Sequence, residues 1–324
     1  MRRIAAVVVT YNRVNLLLQC IEALKSQRFD SSSTSLDILI IDNASTDGTE
    51  QTLKPLANDG EIMYYNTGSN LGGAGGFNYG MKQAVSAGYD DLWVMDDDCL
   101  PHDDALQALL NADAHLKGHY GYLSSVVRWT DGSICRMNVQ RHPLNTDITD
   151  FTLQLQPCTL ASFVSLFVPS SIVAEVGLPI KDFFIWTDDW DFTRRISRRY
   201  DCFVVGDSVV THASKNNGAG TIATDVPERL DRYRKIYRND VVLYRQEGFN
   251  GYAYIIMRDL YHIIQVILHS SGQRCKKIGI IVSGTIAGFR FHPQIEYVTC
   301  PTHTIVSVDC TNDVDNTKNR QHES

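Results

Sequence analysis

No stretch of this 324-residue sequence reaches the roughly 18 uninterrupted apolar residues of a membrane-spanning helix. The apolar run at 4–9, behind Met1-Arg2-Arg3, is too short for a secretory leader with its cleavage site and reads as a first strand. Basic charge is also in short supply. Thirty Lys and Arg against 37 Asp and Glu leave a net charge of -7, which excludes the basic stripe that general nucleic-acid binding needs. The eight cysteines (Cys20, Cys99, Cys135, Cys158, Cys202, Cys275, Cys300 and Cys310) form no CxxC pair and no Cys/His zinc spacing. Most lie beside apolar residues, the pattern of reduced, buried thiols in a cytoplasmic protein. No internal repeat is present, and no Gly-Lys-Ser/Thr follows a glycine-rich stretch, so a P-loop is excluded.

What is there begins as alternating strand and helix patterns. Apolar, β-rich runs at 4–10, 37–41, 62–65 and 92–95 predict four strands, with helical spacing at 16–24 and 77–87 between them. Near-continuous apolar strands separated by helices predict a mostly parallel sheet covered on both faces. Ligands of such sheets bind beyond the carboxyl ends of the strands, and the polar clusters of this region all sit there. Shorter strands are predicted at 122–127, 163–168 and 203–210. After residue 225 the pattern turns helical, at 230–244, 252–268 and 278–291. The expected organisation is an α/β domain over 1–225, a helical region over 226–298 and a disordered polar tail over 299–324.

Four clusters and one histidine carry candidate chemistry. Asp96-Asp97-Asp98 closes the fourth strand. Asp96 and Asp98 are expected on one side of it, where two carboxylates suit a hard divalent ion that also takes phosphate oxygens; the alternative is a solvated acidic turn capping the helix near Asp103. Thr10-Tyr11-Asn12-Arg13 and Asp42-Asn43-Ala44-Ser45-Thr46-Asp47-Gly48 end the first two strands. A carboxylate at Asp42 can accept hydrogen bonds from a ribose or base edge, while Thr46 or Asp47 caps a helix. The stretch from Gly72 and Gly73 to Gly76 reads either as a plain flexible loop or as a place where backbone and a helix N-terminus meet a phosphate or sugar. Asp188 and Asp189 either cap a helix running to about residue 200 or supply a base for an acceptor hydroxyl. Trp186 and Trp190 beside them either stack on sugar rings or fill core. His212, at the end of a strand, is either structural or a third metal ligand.

Taken together, Thr-Tyr-Asn-Arg at 10–13, Asp-Asn-Ala-Ser-Thr-Asp-Gly-Thr at 42–49, Asn-Leu-Gly-Gly at 70–73 and the acidic triplet resemble family 2 glycosyltransferases of the GT-A fold, over residues 4 to 212. The resemblance implies a Rossmann-like α/β domain with a C-terminal helical extension. It also implies an inverting displacement with an Asp or Glu base, and Mn²⁺ or Mg²⁺ at the Asp-x-Asp pair. The second half, Gly177-Leu178-Pro179 and 186–195, looks most like bacterial galactofuranosyltransferases and their rhamnosyltransferase relatives. That likeness assigns Asp96, Asp98 and His212 to the metal and Asp189 to the base, with Asp188 beside it. It gives the donor nucleotide to Thr10, Tyr11, Arg13, Asp42, Gly72, Gly73 and Asp97. Where the galactan polymerases of that group carry paired tryptophans, this chain has Phe163 and Val164, so addition of one residue or few is expected.

The implied donor is a nucleotide-diphosphate sugar, either UDP-galactofuranose or dTDP-rhamnose. The implied acceptor is a saccharide, lipid-linked, of a cell-surface polymer. The helices at 252–268 and the Arg274, Lys276, Lys277 cluster either lie on the inner face of the plasma membrane, pack as an ordinary helical subdomain, or form a contact between copies. Two rivals stand beside this reading. A nucleotidyltransferase would need a basic, glycine-rich loop after the first strand, where this chain offers one arginine and no glycine. A non-catalytic sugar-binding relative would have no need to keep Asp96, Asp98 and Asp189 together.

Overall fold

The computed structural model describes residues 1–218 and 220–299; the tail expected from residue 299 falls, but for that first residue, outside the described residues. Four parallel strands open the chain: β1 (Arg2–Thr10), β2 (Thr34–Asp42), β3 (Met63–Asn66) and β4 (Asp91–Asp96). They lie side by side in the order β3-β2-β1-β4. The helices between them are α1 (Val14–Lys25), α2 (Thr49–Asn58) and α3 (Gly72–Ser86). Strand alternation splits β1 between two cores. Ala5, Val7 and Val9 face one side, with the buried residues of α3, while Ile4, Ala6 and Val8 face the other, with Leu17, Ile21 and Leu24 of α1. A strand buried on both faces can be apolar throughout, which is why β1 shows no polar alternation.

Beyond β4 the sheet departs from the mostly parallel expectation. β8 (Leu166–Pro169) runs antiparallel to β4, and β6 (Leu123–Trp129) antiparallel to β8. β9 (Phe203–His212) then lies parallel to β6, and the short β5 (Cys99–Pro101) and β7 (Leu155–Pro157) both pair antiparallel with β9. The result is a nine-stranded mixed sheet among the described residues. The βα series stops here: β4 leads to β5 through a two-residue turn with no helical crossover, and β5 pairs with β9, not with β4. Helices α4 (Ala105–Leu116), α5 (Ser170–Val176) and α6 (Asp188–Ser197) complete the layers.

The glycines at 72–76 are not a loop but the first turns of α3. Their lack of side chains lets α3 lie close on the sheet. A Cβ on Gly76 would stand 2.6 Å from Val9 Cγ1, and one on Gly80 2.6 Å from Val7 Cγ1. One turn earlier on the same face, Gly72 (φ +73°) has the Phe184 carbonyl oxygen 2.0 Å from where its Cβ would be. Glycine at three positions four apart is therefore a packing requirement.

The chain ends in three helices, α7 (Leu230–Arg245), α8 (Gly248–His269) and α9 (Arg274–Arg290). Among the described residues no helix is long and apolar enough to cross a membrane.

Candidate active site

Parallel register sets the first half of the site. Thr10 lies opposite Asp42 across β1–β2, and Val9 opposite Asp96 across β1–β4, so three strand ends finish flush. The turns that follow are knitted together. The Asn12 N–H donates to Ser45 Oγ at 2.9 Å, the Thr46 N–H to Asn12 Oδ1 at 2.7 Å, and the Val14 N–H to Asp47 Oδ2 at 3.0 Å. Asp47 thus caps α1 from a neighbouring loop, besides accepting from Thr49 at the start of its own helix.

Asp96 ends β4, but Asp97 and Asp98 form the turn into β5. Strand alternation therefore does not bring Asp96 and Asp98 together; the turn does. Asp97 is held on both oxygens, by Thr10 Oγ1 at 2.7 Å and Arg13 at 3.2 Å. Arg13 reaches on to Asp98 Oδ2 at 2.7 Å. The β5–β9 pairing puts His212 opposite Cys99, one residue past Asp98, and His212 Nε2 lies 3.1 Å from Asp98 Oδ1. The other ring nitrogen, Nδ1, lies 2.8 Å from Asn138 Oδ1, which turns Nε2 toward the carboxylates. Asn138 and Arg13 are thus positioning residues for the cluster.

The cluster is electrostatically loaded. Burial and the charge of Asp98 push the Asp96 carboxyl up to about 7. Burial raises Asp97 to about 6 against the pull of Arg13. Burial opposes charge on His212, but its hydrogen bonds to Asp98 and Cys135 and the charges of Asp98 and Asp96 together outweigh this and carry the ring up to about 10. Asp98 is correspondingly held below the usual carboxylate range, its own burial being outweighed by His212 and Arg13. Asp96, Asp98 and His212 are residue types that suit a hard divalent cation, and burial with the charge of Asp98 disfavours the Asp96 carboxylate while no cation answers it. As they stand, no three such side chains among the described residues are gathered tightly enough to hold an ion; Asp98 instead answers Arg13 and His212.

The second half of the site comes from α6. Three non-glycine residues just ahead of it, Phe184, Trp186 and Thr187, have left-handed backbone with φ of 67°, 65° and 70°. Such residues persist only where the surroundings over-determine them, and here α7 does so. Asn239 Nδ2 donates to the carbonyls of Phe183, Ile185 and Trp186 at 3.2, 3.1 and 3.0 Å. Arg238 holds the carbonyls of Asp182 and Phe183, and Thr187 Oγ1 donates to Asp240 Oδ1 at 2.6 Å. The clamp delivers Asp188 and Asp189 at the start of α6. Asp188 is raised well above the ordinary range by burial and by the charges of Asp189 and Asp96, so its side chain belongs to the same field as the β4 cluster. Asp189 gives one oxygen to the Trp190 N–H at 2.8 Å, and burial pushes it up to about 7.

Between the two halves lies a cleft of about 440 Å³, lined by Thr10, Tyr11, Arg13, Asn43, Gly72, Gly73, Asp96, Asp97 and Phe184, and from α7 by Asp231, Arg232 and Lys235. Lys235 Nζ sits 3.7 Å above the Phe184 ring. A second cavity, about 260 Å³ between α4 and β9, shares none of these residues. Asp42 is fully buried behind the cleft wall, its oxygens taken by the Ser45 N–H at 2.8 Å and the Tyr64 hydroxyl at 2.6 Å. Its neighbour Asn43 lines the cleft instead. Asn43 donates to the Gly72 carbonyl at 3.0 Å and keeps Oδ1 without a partner among the described residues. Trp186 packs on Tyr233 and Trp190 under Arg141. Sequence reasoning passed over Asn43, Asn138, Arg232, Lys235 and Asn239. Asn43 stands inside a cluster it did single out; the others come from distant segments that carry no motif.

Residues 5–156 match the family model described as Glycosyl transferase family 2. Galactofuranosyltransferase GlfT1 of Mycolicibacterium smegmatis is 29% identical over 203 residues, covering 60% of this chain and 65% of that protein. The match thus spans less than two thirds of that relative's length. Among solved structures, S. aureus TarS 1-349 in complex with UDP covers 90% of this chain and 72% of its own, at 16% identity and a TM-score of 0.51. Mannosyltransferase PcManGT from Pyrobaculum calidifontis, in complex with GDP-Man and Mn²⁺, covers 89% of this chain and 88% of its own, at 16% identity and a TM-score of 0.58. At such identities the structural likeness establishes the architecture alone. Residues 5–156, just under half of the chain, match the family 2 glycosyltransferases, and the architecture of the chain is the GT-A fold.

Proposed function

We propose that this chain transfers galactofuranose from UDP-galactofuranose, with inversion, to a saccharide acceptor that is lipid-linked, in the synthesis of a cell-surface polysaccharide at the cytoplasmic face of the membrane. One observation carries the reading: Asp96 and Asp97 line a cleft at the carboxyl ends of β1 and β4, and the buried Asp188 of α6, outside that lining, feels the charge of Asp96, with Asp96, Asp188 and Asp189 each pushed upward by burial. The galactofuranosyl choice rests on the curated relative, and the nucleotide-sugar donor is supported by the UDP and GDP-Man complexes of the structural neighbours.

In this reading the donor lies along Thr10, Tyr11, Arg13, Gly72 and Gly73, with Arg13 also fixing Asp97 and Asp98. Asp96, Asp98 and His212 would hold Mn²⁺ or Mg²⁺, which when bound offsets the charge growing on the departing nucleotide diphosphate. Asp189 takes the proton of the acceptor hydroxyl as its oxygen attacks the anomeric carbon opposite the leaving group. A carboxyl near 7 is well placed for that work, because a general base acts best with a pKa close to the working pH. Asp188 feels the charges of both Asp189 and Asp96. Residues 1–225 form the transferase domain, and 226–298 its helical extension.

The test is nucleotide-diphosphate release from UDP-galactofuranose, UDP-galactopyranose, UDP-glucose and dTDP-rhamnose, with Mn²⁺ or EDTA and a lipid-linked acceptor extract. Release from UDP-galactofuranose alone, lost with EDTA and in Asp96→Ala, is the expected result; release from dTDP-rhamnose instead would replace the donor. Asp189→Asn is expected to abolish transfer with donor binding intact. Transfer surviving in Asp189→Asn but lost in Asp188→Asn would move the base to Asp188.

A further inference from the structure

Helices α8 and α9 form an antiparallel hairpin. The Tyr252 ring near the start of α8 stacks on Phe289 near the end of α9, with centroids 6.1 Å apart. One side of this hairpin is bare. Phe249, Ile256, Met257, Leu260, Ile264 and Leu268 are each half or more exposed, and their spacing sets them along one stripe of α8. The charged residues of α8 turn the other way. Arg258 pairs with Asp240 and Asp259, and Asp259 also accepts the Thr285 hydroxyl at 2.5 Å. Exposed apolar area on this scale marks a site of association.

The sign of the charge around the stripe selects the partner. Asp259, already paired, is the only acidic residue between 248 and 290. The charged groups left exposed there are Arg274, Lys276 and Arg290. They stand at opposite ends of the hairpin, in a chain whose net charge is -7. Pairing this face with a second copy would set basic end against basic end whether the hairpins ran parallel or antiparallel, with no exposed carboxylate in the hairpin to answer them. An anionic lipid surface answers both features at once: the stripe enters the interface and the basic ends meet the head groups.

We propose that the α8–α9 hairpin docks the protein on an anionic bilayer surface. The inference is independent of the sugar chemistry, since vesicle binding can be read without donor or acceptor. Its consequence for the site runs through α7, which packs on α9 and lends Arg232 and Lys235 to the cleft.

The experiment is flotation of the purified full chain with vesicles of phosphatidylcholine and phosphatidylglycerol, against vesicles of phosphatidylcholine alone. Binding is expected to the anionic vesicles and to weaken as salt rises. Ile256→Asp with Leu260→Asp should abolish it. Arg274→Ala with Lys276→Ala should lower partitioning about thirtyfold. Circular dichroism and nucleotide-diphosphate binding should be unchanged in both variants. Equal binding to the two vesicle types, or no flotation at all, overturns the proposal. So does a stable dimer by light scattering that the Ile256/Leu260 variant dissociates while wild-type protein ignores vesicles.

Discussion

The two halves of the candidate site are held in different ways. Thr10, Asp42 and Asp96 are fixed by in-register parallel strands, so backbone ladders alone bring three distant turns to one edge. Asp188 and Asp189 have no such frame. They follow a left-handed segment whose carbonyls are held by side chains of α7, about fifty residues later in the chain. Ladder hydrogen bonds are many and individually dispensable, whereas the α6 junction depends on a few polar groups. The sheet-end half should therefore respond to mutation through its chemistry, and the α6 half through its geometry.

Removing charge from the sheet-end half should give the largest effect on activity with little effect on folding. Asp96→Ala is expected to lower nucleotide-diphosphate release by about a thousandfold or more. Thermal stability should stay within about 1 kcal/mol, since burial and the charge of Asp98 already disfavour the Asp96 carboxylate in the fold. Unfolding of the variant under conditions where the wild type is stable would erase the distinction. The α6 half is probed by Asn239→Ala, which leaves the Ile185 and Trp186 carbonyls of a strained segment without their donor and the Phe183 carbonyl to Arg238 alone. A loss of about 2–3 kcal/mol in denaturant titrations is expected. A tenfold or larger fall in kcat should accompany it, with donor affinity changed less than about twofold. Equal losses in kcat and donor affinity would mean that the clamp supports both halves.

The pH profile sharpens the same contrast. In its proposed role Asp189 must be ionised to accept a proton, and burial raises it to about 7. Transfer should thus rise about tenfold per unit up to that point and level off above it; Asp189→Glu should shift the break, while Asp113→Asn, on α4, should not. The smallest effect concerns the far end of α6. Glu247 accepts from Arg194 at 2.8 and 2.9 Å and also pairs with Arg198, and these partners hold its carboxyl down to about 2 despite burial. A depressed carboxyl stabilises the fold fully above its ordinary pKa and loses that contribution as pH falls through the folded value. Glu247→Gln should therefore cost about 1–2 kcal/mol at neutral pH and much less near pH 2, a difference that urea titrations at the two pH values would measure.

Much of the sheet-end half was legible beforehand because its signals are local. The β1 run, the cap and turn residues at 42–48 and the triplet at 96–98 each announce a strand end, and a βα series gathers strand ends at one edge. The misreadings came from packing. Asp42 looked like a ligand because it ends a strand, yet Tyr64 and Ser45 enclose it and Asn43 reaches the cleft in its place. The 72–76 glycines looked like a loop because glycine disfavours helix; close approach to Val9, Val7 and Phe184 outweighs that preference. The sheet was expected to stay mostly parallel because the alternation of strand and helix stops only at Asp97, and local pattern does not tell which way later strands run.

The sequence by itself determined the βα frame, the family resemblance and the residue types at the site, since each is written in periodicity or in motifs a few residues long. Only the tertiary structure decided which of those residues meet. His212 reaches Asp98 because β9 pairs with β5. Asp188 enters the field of Asp96 because α7 holds the backbone ahead of α6 in a conformation its own residues disfavour. Such contacts join segments some fifty to more than a hundred residues apart, and no local pattern encodes them, because their free energy exists only once both partners are already in place.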